Sequence, residues 1–360
     1  MRTLVGALAL ALVSTAACSR SEDTAKTTPP PPPAWETDNP VKPIPEGPLG
    51  SEIQLASLPN APTPERVRLG RWLFYDKRLS ADESVACATC HRPEYAFSEP
   101  TPHSTGIKGQ VGGRKSPSFI NQAVTLYPNF FWDGRASSLE DQALGPIANP
   151  IEMGATHESM IASLQKTKGY AQYFKEAFGT EDITKERVAQ AIAAYERTRM
   201  SGNSPVDRWR LNKDETAVSD QVKQGYDLFF NKAACNQCHL GNSYTDSSFH
   251  NLGVGYDAKT RTFKDVGRSA ISKNAADEGA FKTPTLRDCA RHAPYMHDGS
   301  VATLKEVVEL YNRGGEANPK LDPKIKKLGL TPSEVDALVA FMEALNGEGY
   351  MDVAPASFPQ

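Results

Sequence analysis

The chain has 360 residues, with 40 lysines and arginines against 43 aspartates and glutamates and a formal net charge of -3. This balance, with no basic run, argues against nucleic acid as a partner. A hydrophobic fraction of 39% excludes a disordered chain, and the length is that of two ordinary domains.

In chain order, Arg2 and the apolar run from Leu4 to Val13 read as an export signal, too short to span a bilayer as a mature helix. Thr15-Ala16-Ala17-Cys18 sets small residues before a cysteine, as in a bacterial lipobox. Residues 1–17 are therefore expected to be removed and Cys18 lipidated, with ordinary cleavage near Ala17 as the alternative. Either outcome places the mature protein in the periplasm, touching the membrane only through an N-terminal lipid. Residues 18–62 include "TTPPPPPAW" and scattered prolines, and read as an extended tether.

Residues 63–205 form a first expected domain. Thr63 is a good N-cap and Pro64 suits the first helical position, with Leu69, Trp72 and Leu73 on one face. Glycine and proline between Glu99 and Tyr127 predict loop, and Val188, Ala191, Ile192 and Tyr195 form the stripe of a helix over 186–198. Residues 206–360 form the second. Gly225-Tyr-Asp-Leu228-Phe229-Phe230-Asn231-Lys232 repeats Gly70-Arg-Trp-Leu73-Phe74-Tyr75-Asp76-Lys77. Thr303-Leu-Lys-Glu306 is a capping box, and Thr331-Pro332 opens a last helix to about Leu345. No alternating strand pattern lasts.

Each repeat leads into the same frame, Cys87-Ala-Thr-Cys90-His91 and Cys235-Asn-Gln-Cys238-His239. C-x-x-C-H reads as a c-type haem attachment: two thioethers anchor the porphyrin, and the adjacent histidine is carried to the iron. A four-cysteine zinc site or a disulfide gives no reason for a histidine after both pairs. The expected fold is mainly α, in two tandem cytochrome c-like domains, each with one covalent haem. Cys289 is left over and reads as a buried small apolar residue.

From about Thr63 to Leu345 the chain resembles the bacterial di-haem cytochrome c peroxidases and their relative MauG. The resemblance rests on both haem frames, "FFWDGRASSLEDQALGPIANPIEM", "YERTRMSGNSPVDRW" and "TPTLRDCARHAPYMHDG". It implies a first haem that meets peroxide and a second that stores or relays electrons. It implies that Trp132 lies between them, where the bland role would be a core aromatic. Gln142 and Glu152 match a polar pair over the first iron, and Pro146 a proline on its open face. A buried carboxylate can move a proton between peroxide oxygens, and a glutamine can orient peroxide without titrating.

Three positions depart from the family pattern. A distal histidine often blocks the first iron until the other haem is reduced; that position is Ile107 here, which cannot ligate, and His103 is the nearest substitute. The sixth ligand of the second iron aligns with Tyr311, methionine in most peroxidases and tyrosine in MauG, with Met296 as the fallback. A calcium between the haems is doubtful, because Lys115 stands where its asparagine ligand would be; the lysine could act as a substitute cation beside the carbonyls of His292 and Pro294.

The resemblance leaves three functions. The first is a peroxidase that takes electrons from a small cytochrome c or cupredoxin. The second is a MauG-like enzyme that uses peroxide to oxidise a residue of a partner protein, which Ile107 and Tyr311 favour. The third is a plain di-haem electron carrier, which an open first iron with Glu152 and Gln142 disfavours.

Overall fold

In the computed structural model, residues 32–360 are described apart from 54, 59 and 124–128. The export signal, Cys18 and most of the proline run lie outside the described residues. The chain divides into Met1–Pro33 and Ala34–Gln360, and every described element lies in the second part.

A short α1 (Ala34–Asp38) precedes α2 (Pro64–Tyr75). The Thr63 hydroxyl accepts from the Arg66 amide and Pro64 opens the helix, as its sequence predicts. The haem frame forms α3 (Cys87–Cys90); α4 (Leu139–Ala148), α5 (His157–Lys166), α6 (Lys168–Phe178) and α7 (Lys185–Arg197) come next. Leu69, Trp72, Phe74, Ile192 and Tyr195 are fully buried in one core.

The second half holds α8 (Pro205–Asn212), α9 (Asp220–Phe230), α10 (Ser269–Ser272), α11 (Leu304–Asn312) and α12 (Pro332–Glu343). Phe229, Leu338 and Phe341 centre a second core. Thr303 and Thr331 both form capping boxes, with Glu306 and Glu334.

The sequence repeat is also a structural one. A Cβ on Gly70 would overlap the Ala191 carbonyl of α7, and a Cβ on Gly225 would overlap the Ala337 carbonyl of α12. Each glycine lets its helix cross a partner at backbone contact, which fixes where the following Cys-x-x-Cys-His frame emerges.

The fold is mainly α, as expected, with two small ribbons beside the helices. β1 (Phe249–Asn251) pairs antiparallel with β4 (Ala280–Lys282), Phe249 opposite Lys282; β2 (Tyr256–Asp257) pairs with β3 (Thr262–Phe263). Strands of two or three residues are too short to show alternation.

The expected tether also needs correction from Ala34 onward, where the segment is fastened to the body. Trp35 Nε1 donates to Tyr173 at 2.7 Å, buried Asn39 donates to the Arg68 carbonyl at 3.0 Å, and the Gly50 carbonyl accepts from Arg287 at 2.8 Å. Proline density predicts extended chain correctly but does not reveal such anchors. The C-terminal tail likewise returns to the first half: Tyr350 is buried in the first core and Asp352 pairs with Arg71 at 2.8 Å. No helix among the described residues is long and apolar enough to cross a membrane.

Candidate functional site

Two cavities lie side by side. The first, about 540 Å³, is lined by Cys87, Cys90 and His91; the second, about 440 Å³, by Cys235, Cys238 and His239. The two cysteine pairs therefore face different spaces and form no four-sulfur zinc site. All four thiols are free. Burial pushes Cys87 and Cys235 up to about 12 and Cys90 to about 11.

The histidines are held alike. His91 Nδ1 lies 2.9 Å from the Phe97 carbonyl and His239 Nδ1 2.9 Å from that of Tyr244. A carbonyl only accepts, so each Nδ1 carries the proton and each Nε2 keeps a lone pair for a metal. Burial lowers the pKa of both rings, which favours the neutral, ligating form. Adjacent free thiols, an oriented imidazole and a ring-sized cavity are what a covalent haem requires, and the residues fit one in each cavity.

Trp132 lines both cavities, as do Lys115, Lys282, Pro284 and Thr285. Its Nε1 donates to the Lys115 carbonyl and its own carbonyl accepts from the Lys282 amide, each at 2.8 Å. The indole is thereby clamped between a loop of the first half and β4 of the second.

Gln142, Pro146 and Glu152 line the first cavity only. Gln142 and Pro146 lie one turn apart on α4. Glu152 follows in the turn after it, where Asn149 Nδ2 donates to Oε1 at 2.7 Å. Burial raises the Glu152 pKa, while the Arg135 charge and the Asn149 bond oppose the rise.

Ile107 is buried and does not line the first cavity. Its amide donates to the Glu152 carbonyl at 2.8 Å, and its side chain fills the space that a Cβ on Gly154 would need. His103 is not on the cavity wall either. Tyr311 and Met296 both line the second cavity. Burial raises the Tyr311 pKa, and the phenol lines the same cavity as Cys235 and Cys238 of the haem frame.

Lys115 is almost wholly buried, and its ammonium donates to the carbonyls of Glu99 and Thr101. Lys115 also lines the second cavity with His292 and Pro294, and after burial its charge is the next cause holding the His292 pKa down. Cys289 is buried, as expected.

Two residues on these walls escape a reading of the sequence. Glu196, on the apolar side of α7, lines the first cavity with one carboxylate oxygen unpartnered, and burial pushes it up to about 8. A glutamate directly after the Ile192–Tyr195 stripe is the available signal. Lys282 lines both cavities from a strand too short to recognise.

Fold and site together define a di-haem c-type oxidoreductase. The family model for di-haem cytochrome c peroxidases matches residues 64–216. The methylamine utilization protein MauG of Methylorubrum extorquens is 40% identical over 292 residues, 80% of this chain and 80% of its own. A cytochrome c551 peroxidase of Nitrosomonas europaea is 36% identical over 291 residues, 80% of this chain and 83% of its own. A solved MauG-like protein associated with microbial copper homeostasis superposes with a TM-score of 0.75 at 31% identity, over 85% of this chain and 94% of that one. The chain belongs to the di-haem cytochrome c peroxidase and MauG family. It is a haem-dependent oxidoreductase that uses peroxide and carries two c-type haems.

Proposed function

We propose that the protein is an exported peroxidase that reduces hydrogen peroxide at its first haem, with electrons passed through the second from a small cytochrome c or cupredoxin. The observation that carries this reading is the asymmetry of the two cavities: Glu152 and Gln142 line the first alone, and Trp132 forms a wall of both. When bound, the two haems would supply the redox chemistry, held through Cys87, Cys90 and His91 in the first cavity and Cys235, Cys238 and His239 in the second.

The protein's part is proton handling and orientation. Reducing one peroxide takes two electrons and two protons and yields two waters. Glu152 takes the proton from the near oxygen and returns it to the far one, so that the departing oxygen leaves as water. Gln142 orients the peroxide by hydrogen bonding, and Pro146 shapes the open face with no amide hydrogen of its own. Trp132 offers a π-system between the two cavities for electron passage. His91 would hold the first haem iron, and His239 with Tyr311 the second.

Oxidation of a residue on a partner protein is the second reading. It is favoured by the Tyr311 phenol in the cavity of the second haem frame and by an Ile107 that offers no ligand to the first. Steady-state peroxide consumption, with and without a reduced small cytochrome c or cupredoxin, separates the two. Fast turnover that oxidises the donor supports the peroxidase; consumption of about one peroxide per protein, whatever the donor, overturns it in favour of a partner protein. Attachment through a lipid on Cys18 belongs to the same proposal, and would fail if a Cys18→Ser variant stayed with the membrane fraction as the parent does.

A further inference from the structure

Lys282 closes β4 and lines both cavities. Its backbone is fixed by the 2.8 Å bond from its amide to the Trp132 carbonyl and by pairing opposite Phe249. Its ammonium has no hydrogen-bond or ion-pair partner among the described residues. Burial pulls it down to about 8, and the single carboxylate acting on it is Asp246, already engaged with His250. Two carboxylates of the first cavity are also taken: Asp133 bonds Arg114 and Arg135, and Asp265 bonds Arg114.

Lys115 shows the contrast. It lines the same walls, but its ammonium is spent on the Glu99 and Thr101 carbonyls. Lys282 is half-buried, and a cation partly removed from water without a counter-charge is unfavourable unless an anion arrives. The groups that fit the two cavities bring such anions: a c-type haem is tied to its cysteines through former vinyl groups and carries two propionate carboxylates elsewhere on the ring.

We propose that the Lys282 ammonium is the ion-pair partner of a haem propionate at the wall common to both cavities, and so sets the charge felt by the haem it pairs with. This goes beyond the peroxide reaction and requires only the two haems.

The test is the loaded protein with Lys282→Met, which keeps length and loses charge, and with Lys282→Arg. Three properties are read without peroxide: haem content per chain, the reduction potential of each haem, and the propionate bending bands in resonance Raman spectra. Loss of a nearby positive charge disfavours the reduced state. In Lys282→Met, one haem should therefore fall in potential with a shifted propionate band, the affected haem naming the partner, and Lys282→Arg should reverse most of both effects. If the methionine variant fails to load haem while the arginine variant loads two, the charge itself is required and the proposal stands. Unchanged potentials and bands in a fully loaded methionine variant overturn it. So does an arginine variant as impaired as the methionine one, since packing would then be the cause.

Discussion

Replacing Glu152 by glutamine removes a titrating group and little else. Side-chain length is kept, and the amide oxygen still accepts the 2.7 Å bond from Asn149. The bond from the Ile107 amide goes to the backbone carbonyl and is untouched. Fold and haem content should survive, so the loss should appear in turnover. A positioned acid–base group contributes about 10²–10⁴ in rate, roughly 2.7–5.5 kcal/mol of barrier at 1.36 kcal/mol per tenfold. Peroxide turnover at saturating donor is expected to fall at least about a hundredfold.

The pH profile checks the same residue independently. Burial raises the Glu152 pKa, while Arg135 and Asn149 lower it. A base works when ionised, so kcat/KM should rise as pH passes through this pKa. Arg135→Gln removes a charge that favours ionisation and should move the acid limb to higher pH, and Asn149→Ala should move it the same way. Glutamine at 152 should abolish the limb. A fully loaded Glu152→Gln enzyme with near-parental turnover, or with the limb still in place, would refute the assignment.

A Cβ on Gly225 would stand 2.7 Å from the Ala337 carbonyl carbon and 2.8 Å from Phe341 Cβ; carbon contacts settle near about 3.5–4.0 Å, so α9 and α12 must part. Gly225→Ala should cost about 3 kcal/mol, at the upper end for overpacking, and denaturation followed at the second haem should show it. Tyr311→Phe should alter the optical spectrum and raise the potential of the second haem alone; an unchanged spectrum would move the ligand assignment to Met296. Glu196 is pushed from 4.5 up to about 8 in the folded protein, so its folded pKa is raised. Wild type should therefore lose stability as pH climbs from about 4.5 towards 8, by roughly 5 kcal/mol at most. Denaturation midpoints at the two ends of that window should lose this slope in Glu196→Gln.

The helices and haem frames were legible because their signals are local. Thr63, Thr303 and Thr331 cap the helices directly after them, and Cys-x-x-Cys-His states its chemistry within five residues. The repeat was legible as a pattern, but its cause was not: Gly70 and Gly225 matter for a carbonyl more than a hundred residues away. The cradle of Lys115, the unpaired ammonium of Lys282 and the unpartnered oxygen of Glu196 are likewise set by elements distant in sequence. Isolated charges read as surface until a fold shows which ones face inward. The strap from Ala34 was missed for a related reason, since Trp35 and Asn39 find their partners at Tyr173 and Arg68.

The Ile107 loop gives the first cavity a resting shape. Gly106 lies against the carbonyls of Ile151 and Glu152, the Ile107 amide is bonded to Glu152, and the Ile107 side chain packs on Gly154. Swinging this loop over the cavity would break a backbone hydrogen bond, worth about 1 kcal/mol net, and expose an isoleucine, worth about 1.5–3 kcal/mol. No ligand at position 107 would repay that cost, as a histidine bonding to iron could. The turn that carries Glu152 is held by the same contacts, so opening the loop would also displace the acid. Loop and Glu152 form one packed unit, held by the Ile107 amide bond and the Ile107 contact with Gly154.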